Sequence, residues 1–137
     1  MKLNKTIVIV DDDADDREII RDAFEASGDG LNHVFMENGD RLMQYLAATA
    51  MEGNLPSLIL IDLNMPGKDG REALREIKSS EQLLSIPTIV FTTSSSDRDR
   101  QATYHMGANC FITKPDTFNK LVELAKCIRH LWLPEDL

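Results

Sequence analysis

The sequence predicts one α/β domain with a parallel sheet and helices on both of its faces. Short runs of β-branched and aliphatic residues alternate with amphipathic segments five times along the 137 residues. Such alternation is typical of parallel sheets joined by right-handed crossovers. The length suffices for one core but not for two. No repeat, linker or low-complexity segment interrupts the chain, so we expect a single domain over 1–137 with no effector domain.

The predicted strands are compact apolar runs bounded by polar, glycine or proline residues. The run at 58–61 has four consecutive aliphatic residues, a pattern typical of a strand buried on both faces, and it leads directly into Asp62. The first strand ends in Asp11-Asp12-Asp13, and the second is weaker, with mixed polarity. The five strands are expected at 6–10, 33–36, 58–61, 88–91 and 109–113.

A segment with helical period follows each strand. Acidic residues occupy the first turn of the first helix, where the helix dipole favours them. Ser96 is expected to cap a short, polar fourth helix. The last helix carries one apolar stripe and a second, flanking stripe of Leu124, Cys127 and Leu131. The first helix has helical period over 15–24 and is expected to be ended by the segment 27–30. The other helices are expected at about 39–50, 71–78, 97–106 and 117–132. The inward residues of the second helix are expected to be Leu42, Met43, Leu46, Ala47 and Ala50.

The composition argues against several classes of protein. A formal net charge of -8 disfavours direct nucleic-acid binding, which needs a basic face. Cys110 and Cys127 match no metal-ligand spacing, so we expect two reduced thiols. No secretory signal is visible, and no apolar run approaches the roughly 20 residues of a membrane span. We therefore expect a cytoplasmic protein that does not bind membranes.

Polar residues follow four of the predicted strands. Asp11 and Asp12 follow the first, Asp62 the third, Thr92 the fourth and Lys114 the fifth. The carboxyl ends of parallel strands lie at one edge of the sheet, so these side chains should converge.

This set of side chains suits phosphoryl transfer. Clustered carboxylates need a balancing cation, and oxygen ligands at a partly hydrated site suit Mg²⁺, with Mn²⁺ as the alternative. A carboxylate beside Mg²⁺ and a lysine can attack a phosphoryl group, and a threonine hydroxyl can bond one of the phosphoryl oxygens. Taken singly, each residue also fits an ordinary structural role, such as a helix start or a turn. Together they favour one site.

Four motifs resemble those of two-component response-regulator receiver domains. They are IVIVDDD at 7–13, IDLNMPGKDG at 61–70, PTIVFT at 87–92 and ITKP at 112–115. The resemblance covers essentially the whole chain. It implies the flavodoxin-like (βα)5 three-layer sandwich, with a parallel five-stranded sheet of order 2-1-3-4-5. The long loop at 51–56 and the polar start of the fourth helix resemble the receivers found beside bacterial phytochrome-type kinases.

The resemblance also implies a role for each motif residue. Asp62 would be the phosphoacceptor, and the ammonium of Lys114 would pair with the phosphate. Asp11, Asp12, Asp62 and the backbone carbonyl of Asn64 would bind the metal, with Asp12 a more direct ligand than Asp11. Thr92 would be the switch hydroxyl, and Phe111 occupies the position of an aromatic switch. Asn64 and Ser94 would modify dephosphorylation, and the Lys114-Pro115 peptide bond would be cis.

The expected function is a signalling module that accepts phosphate from a sensor histidine kinase or a histidine phosphotransfer protein. Its output would leave through the fourth helix, fifth strand and fifth helix, towards an unknown downstream protein or a second copy. The residues expected on this output surface are Tyr104, Phe111, Leu124, Cys127 and Leu131.

Two other functions fit parts of the pattern. A haloacid-dehalogenase-like phosphohydrolase would use the same aspartyl-phosphate chemistry, but it needs an acid where this chain has Asn64, and asparagine cannot transfer the proton. A pseudo-receiver that only binds a partner would not need the intact acidic and lysine set. The expected protein is therefore not an enzyme in the usual sense, because it catalyses only its own phosphorylation and dephosphorylation.

Overall fold

The computed structural model describes residues 5–28 and 30–133, and it confirms the predicted α/β fold. The strands are β1 (Lys5–Val10), β2 (Leu31–Met36), β3 (Leu58–Ile61), β4 (Thr88–Thr92) and β5 (Cys110–Thr113). The helices are α1 (Ala14–Ser27), α2 (Gly39–Met51), α3 (Gly70–Lys78), α4 (Asp97–His105) and α5 (Phe118–Trp132). All neighbouring strands are parallel, and their order is β2-β1-β3-β4-β5, as the family resemblance implies.

The register brings the carboxyl ends of the strands to one edge of the sheet. Val10 is paired with Ile61, and Thr92 is paired with Thr113. The backbone continues this pairing past the strand ends, because the Asp62 N–H donates to the Val10 carbonyl at 3.0 Å. Asp11 and Asp62 therefore leave the sheet side by side.

Alternate strand residues build two cores, one on each face of the sheet. On one face, α2 and α3 pack against Val8, Val10, Ile59 and Ile61. On the other face, α1 and α5 pack against Ile7, Ile9, Leu58 and Leu60. Both faces are apolar, so the central strands are continuous hydrophobic runs, as the sequence predicts. The three-layer arrangement follows from covering both faces with helices.

Side-chain oxygens cap the starts of the helices. At each of the five helix starts, an oxygen of the preceding residue accepts a hydrogen bond from a backbone N–H of the first turn. The capping residues are Asp13, Asn38, Asp69, Ser96 and Thr117. The predicted cap at Ser96 is thus confirmed, since its Oγ accepts from the Asp99 N–H at 3.3 Å.

Helix α1 ends at Ser27, where the predicted terminating segment begins, and Gly28 is its C-cap. One local prediction needs correction. In α2, Ala47 is exposed, and Thr49 lies on the inward face instead. The Thr49 hydroxyl donates to the carbonyls of the preceding turn, which allows this polar residue to be buried. Among the described helices, none has both the length and the apolar composition that crossing a bilayer requires.

Candidate functional site

Asp62 lies at the centre of the polar edge of the sheet. It follows β3 directly, and its side chain is only 13% exposed. The strand is buried on both faces, so it fixes where the carboxylate leaves the sheet. The site is therefore built on rigid backbone, with the carboxylate still reachable from solvent.

Lys114 contacts three carboxylates across this edge. Its Nζ lies 2.6 Å from Asp11 Oδ2, 3.0 Å from Asp16 Oδ2 and 3.4 Å from Asp62 Oδ2. The backbone holds the lysine in place, since the Lys114 N–H donates to the Thr92 carbonyl at 2.7 Å. The structure thus brings together the ends of β1, β3 and β5, as the sequence predicts.

The peptide bond between Lys114 and Pro115 is trans, so the cis bond implied by the resemblance is wrong for this structure. The lysine reaches its carboxylates without the turn that a cis bond would make. The trans form is also the lower in free energy for an X–Pro bond, by about 0.5–1 kcal/mol.

Three acidic side chains form a cluster suited to a divalent cation. Asp11, Asp12 and Asp62 each offer a carboxylate oxygen, and these atoms all lie within 4.8 Å of one another. Asp11 is buried, whereas Asp12 is exposed, so water can complete a coordination shell on that side. Carboxylate oxygens with open, hydrated positions fit Mg²⁺ and Mn²⁺ better than softer metals.

Burial and neighbouring charges shift the pKa values of Asp11 and Lys114 in opposite directions. Burial raises the pKa of Asp11, and this effect outweighs the hydrogen bond from Lys114. Burial alone would lower the pKa of Lys114, but its hydrogen bond to Asp11 and the charges of Asp11 and Asp62 raise the pKa above its usual value. Lys114 therefore stays charged and supplies a fixed positive charge beside Asp62.

Residues 7–126 match the response regulator receiver domain family. This match covers most of the chain. The chain belongs to the response regulator receiver family.

Named relatives agree with this assignment. Response regulator Rcp1 of Synechocystis sp. is 34% identical over 131 residues, which are 94% of this chain and 89% of Rcp1. Two solved structures resemble the fold closely. The phosphorylated cyanobacterial phytochrome response regulator RcpA has a TM-score of 0.86 and 37% identity, covering 95% of this chain and 94% of that one. The Mn²⁺-bound form of Rcp1 has a TM-score of 0.83 and 33% identity, covering 97% of each chain. The predicted resemblance to phytochrome-associated receivers is confirmed.

Asp16 is a site residue of this receiver that the sequence reasoning missed. It lies in the first turn of α1, where an acid fits the helix dipole and needs no other explanation. Its contact with Lys114 joins residues that are 98 positions apart in sequence, so no local pattern reveals it. One signal for Asp16 is present in the sequence. Asp16 lies only five residues after Asp11, at the start of a helix that faces the same edge of the sheet.

Thr92 is the last residue of β4, and a hydrogen bond links it to Ser94 in the loop that follows. Thr92 is fully buried, and its Oγ1 accepts a hydrogen bond from the Ser94 N–H at 3.3 Å. Among the hydrogen bonds of the described residues, the Thr92 hydroxyl proton has no acceptor.

Phe111 is buried in the receiver, with the Arg100 guanidinium over its ring at 5.0 Å from the centroid. Its backbone N–H donates to Tyr104 Oη at 3.1 Å. The ring thus packs inward, and α4 holds both its face and its backbone. The expectation that Phe111 lies on the output surface is therefore wrong, because its ring belongs to the core on the side of α2 and α3. Its role as a switch stays a prediction.

The loop after β3 passes close to Asp62. Asn64 is exposed, and its N–H points to Asp62 Oδ1 at 3.5 Å, the limit of a hydrogen bond. Gly70 lies against the same strand end, and a Cβ there would be 2.1 Å from the Asp62 carbonyl oxygen. Glycine is required at 70 by this close approach of two backbone segments.

Proposed function

We propose that this receiver accepts a phosphoryl group on Asp62 from a phosphohistidine, in a reaction that requires Mg²⁺ or Mn²⁺. The observation that carries the proposal is the contact of one buried ammonium, Lys114, with Asp11 and Asp62 at the edge of the acidic cluster. A purely structural ion pair would need only one of these acids.

Each residue has a defined part in the proposed reaction. A carboxylate oxygen of Asp62 attacks phosphorus, the phosphorus–nitrogen bond breaks, and the donor imidazole leaves with the bonding electron pair. Lys114 stabilises the negative charge on the phosphoryl oxygens, and the Thr92 hydroxyl donates to one of them.

The acidic cluster would hold the cation. Its ligands would be Asp11, Asp12, Asp62 and the backbone carbonyl of Asn64, with Asp12 as the most accessible carboxylate. The Mn²⁺-bound structure of Rcp1 supports binding of a divalent cation, because that relative shares the fold. When bound, the cation would neutralise charge on the phosphoryl oxygens.

Phosphorylation with acetyl phosphate and Mg²⁺ tests the proposal. Intact-mass spectrometry should show one phosphoryl group per chain, and none in the Asp62→Asn variant. Asp22→Asn removes an exposed acid of α1 and serves as the matched control, which should be phosphorylated like the wild type. Labelling that persists in Asp62→Asn, or steady turnover of varied phosphate esters, would contradict the proposal and favour a phosphohydrolase.

The natural donor would be a sensor histidine kinase or a histidine phosphotransfer protein. RcpA is named as a phytochrome response regulator, so a phytochrome-type kinase is the first donor to test. Transfer of labelled phosphate from the autophosphorylated kinase to the wild type, and not to Asp62→Asn, is the expected result.

We further propose that the output surface pairs with a second copy of the chain. On α5, Cys127 is exposed and Leu131 is 69% exposed, and Tyr104 on α4 is 44% exposed. A two-fold contact allows one apolar stripe to cover itself. Sedimentation with and without beryllofluoride tests this: a monomer in both states contradicts the dimer and leaves this surface for a different downstream protein.

A further inference from the structure

A chain of hydrogen bonds runs from the switch hydroxyl to helices α4 and α3. The Ser94 N–H donates to Thr92 Oγ1, and the Ser94 hydroxyl donates to Asp99 Oδ2 at 2.7 Å. The other carboxylate oxygen of Asp99 accepts from Arg71 Nη2 at 3.2 Å. Asp99 belongs to the first turn of α4, and Arg71 to the first turn of α3.

The single proton of the Ser94 hydroxyl is committed to Asp99. One lone pair of the same oxygen is also in use, since the Ser96 N–H donates to Ser94 Oγ at 3.2 Å. A hydroxyl has one donor, and phosphoryl oxygens can only accept. The Ser94 hydroxyl therefore cannot donate a hydrogen bond to a group on Asp62 while it donates to Asp99.

Hydrogen bonds fix both the backbone and the side chain of Asp99. Its backbone N–H donates to Ser96 Oγ, and its carboxylate lies between Ser94 and Arg71. The hydrogen bond from Ser94, with the hydrogen bond and charge of Arg71, lowers the pKa of Asp99 below its usual value. A charged acceptor makes a stronger hydrogen bond than a neutral one.

We propose that Asp99 is a positioning residue that holds Ser94, and through it Thr92, in the resting arrangement. If Thr92 shifts towards a phosphoryl group on Asp62, Ser94 can keep its N–H bond to Thr92 only by moving with it, and that movement breaks the bond from Ser94 to Asp99. Asp99 thereby opposes phosphorylation and connects the switch to α3 and α4. This inference rests on the proposed phosphorylation of Asp62.

Beryllofluoride with Mg²⁺ is the probe, and calorimetric titration measures its affinity. Asp99→Ala removes the hydrogen bond that opposes the shift, so it should bind beryllofluoride roughly tenfold tighter, the typical effect of one hydrogen bond to a charged group. Asp99→Asn keeps an acceptor for Ser94 and should show a smaller gain. Ser94→Ala breaks the same bond, so the Asp99→Ala, Ser94→Ala double variant should bind no tighter than the stronger single variant.

Asp97→Ala is the matched control. Asp97 is an exposed acid in the same first turn of α4, so its removal changes the net charge equally without touching Ser94. Equal affinities of Asp99→Ala and Asp97→Ala would overturn the inference, as would fully additive gains in the double variant. Absence of beryllofluoride binding in the wild type, or binding that persists in Asp62→Asn, would instead contradict the proposed function itself.

Discussion

Replacement of Lys114 by methionine tests the charge balance of the site. The ammonium is 12% exposed and lies within 3.4 Å of Asp11, Asp16 and Asp62. Methionine keeps much of the side-chain volume but leaves these carboxylates without their counter-charge. We expect the variant to fold less stably at neutral pH in the presence of EDTA.

The size of this loss follows from the burial of the partners. Breaking a buried ion pair typically costs about 3–5 kcal/mol. Asp11 is almost fully buried, but the Asp16 side chain is 41% exposed and contributes little, because solvent screens it. Because only part of the ion-pair network is buried, we expect the loss in the free energy of unfolding to be at the lower end of this range, about 3 kcal/mol.

The loss should also depend on pH and on divalent cations. Burial already raises the pKa of Asp11, and removing the ammonium raises it further. The destabilisation is therefore present above this raised pKa, and it shrinks as the pH falls through it, because protonation of Asp11 relieves the repulsion. Added Mg²⁺ should stabilise the variant more than it stabilises the wild type.

Urea unfolding followed by circular dichroism measures these effects. Lys120→Met is the matched control, since Lys120 contacts the exposed Asp116 and should lose no measurable stability. A Lys114→Met variant as stable as the wild type in EDTA would refute the reasoning. A loss that is unchanged at low pH would refute the assignment to carboxylate repulsion.

Three further changes give separate expectations. Asp12→Asn should weaken Mg²⁺ or Mn²⁺ binding by at least about tenfold in a metal titration, and unchanged affinity would exclude Asp12 as a ligand. Gly70→Ala should cost about 2–3 kcal/mol in urea unfolding, because its Cβ would meet the Asp62 carbonyl oxygen; wild-type stability would show that the loop moves freely. Burial lowers the pKa of His33, so the unfolded chain binds a proton at higher pH than the folded one, and stability should fall as the pH drops below about 6.5. His33→Leu should make the free energy of unfolding less dependent on pH in this range. His130→Gln, which changes an exposed histidine, is the control, and a loss of the pH dependence in this control would contradict the assignment to His33.

The sequence predicts those parts of this molecule that depend on local pattern and on strand ends. The buried runs locate the strands, and parallel topology alone brings Asp11, Asp62 and Lys114 to one edge. Contacts between half-buried helix residues and distant parts of the chain are not predictable in this way. Asp16 and Asp99 both look like ordinary first-turn acids, but their partners Lys114 and Arg71 lie far away in sequence.

The charges at the site determine the order in which its ligands can bind. Within the part of the chain that the structure describes, Lys114 is the ammonium that contacts Asp11, Asp16 and Asp62, and Asp12 adds a fourth carboxylate, so the site as built repels anions. A phosphoryl donor is itself an anion, and under the proposed function a phosphoryl group would add further negative charge to Asp62. Lys114 contacts Asp11, Asp16 and Asp62, whereas Asp12 lies on the exposed side of the cluster. A divalent cation bound on that side would supply the positive charge that an approaching anionic donor needs. Metal binding should therefore precede phosphorylation, and the rate of phosphorylation should saturate with metal concentration at the same midpoint as direct metal binding.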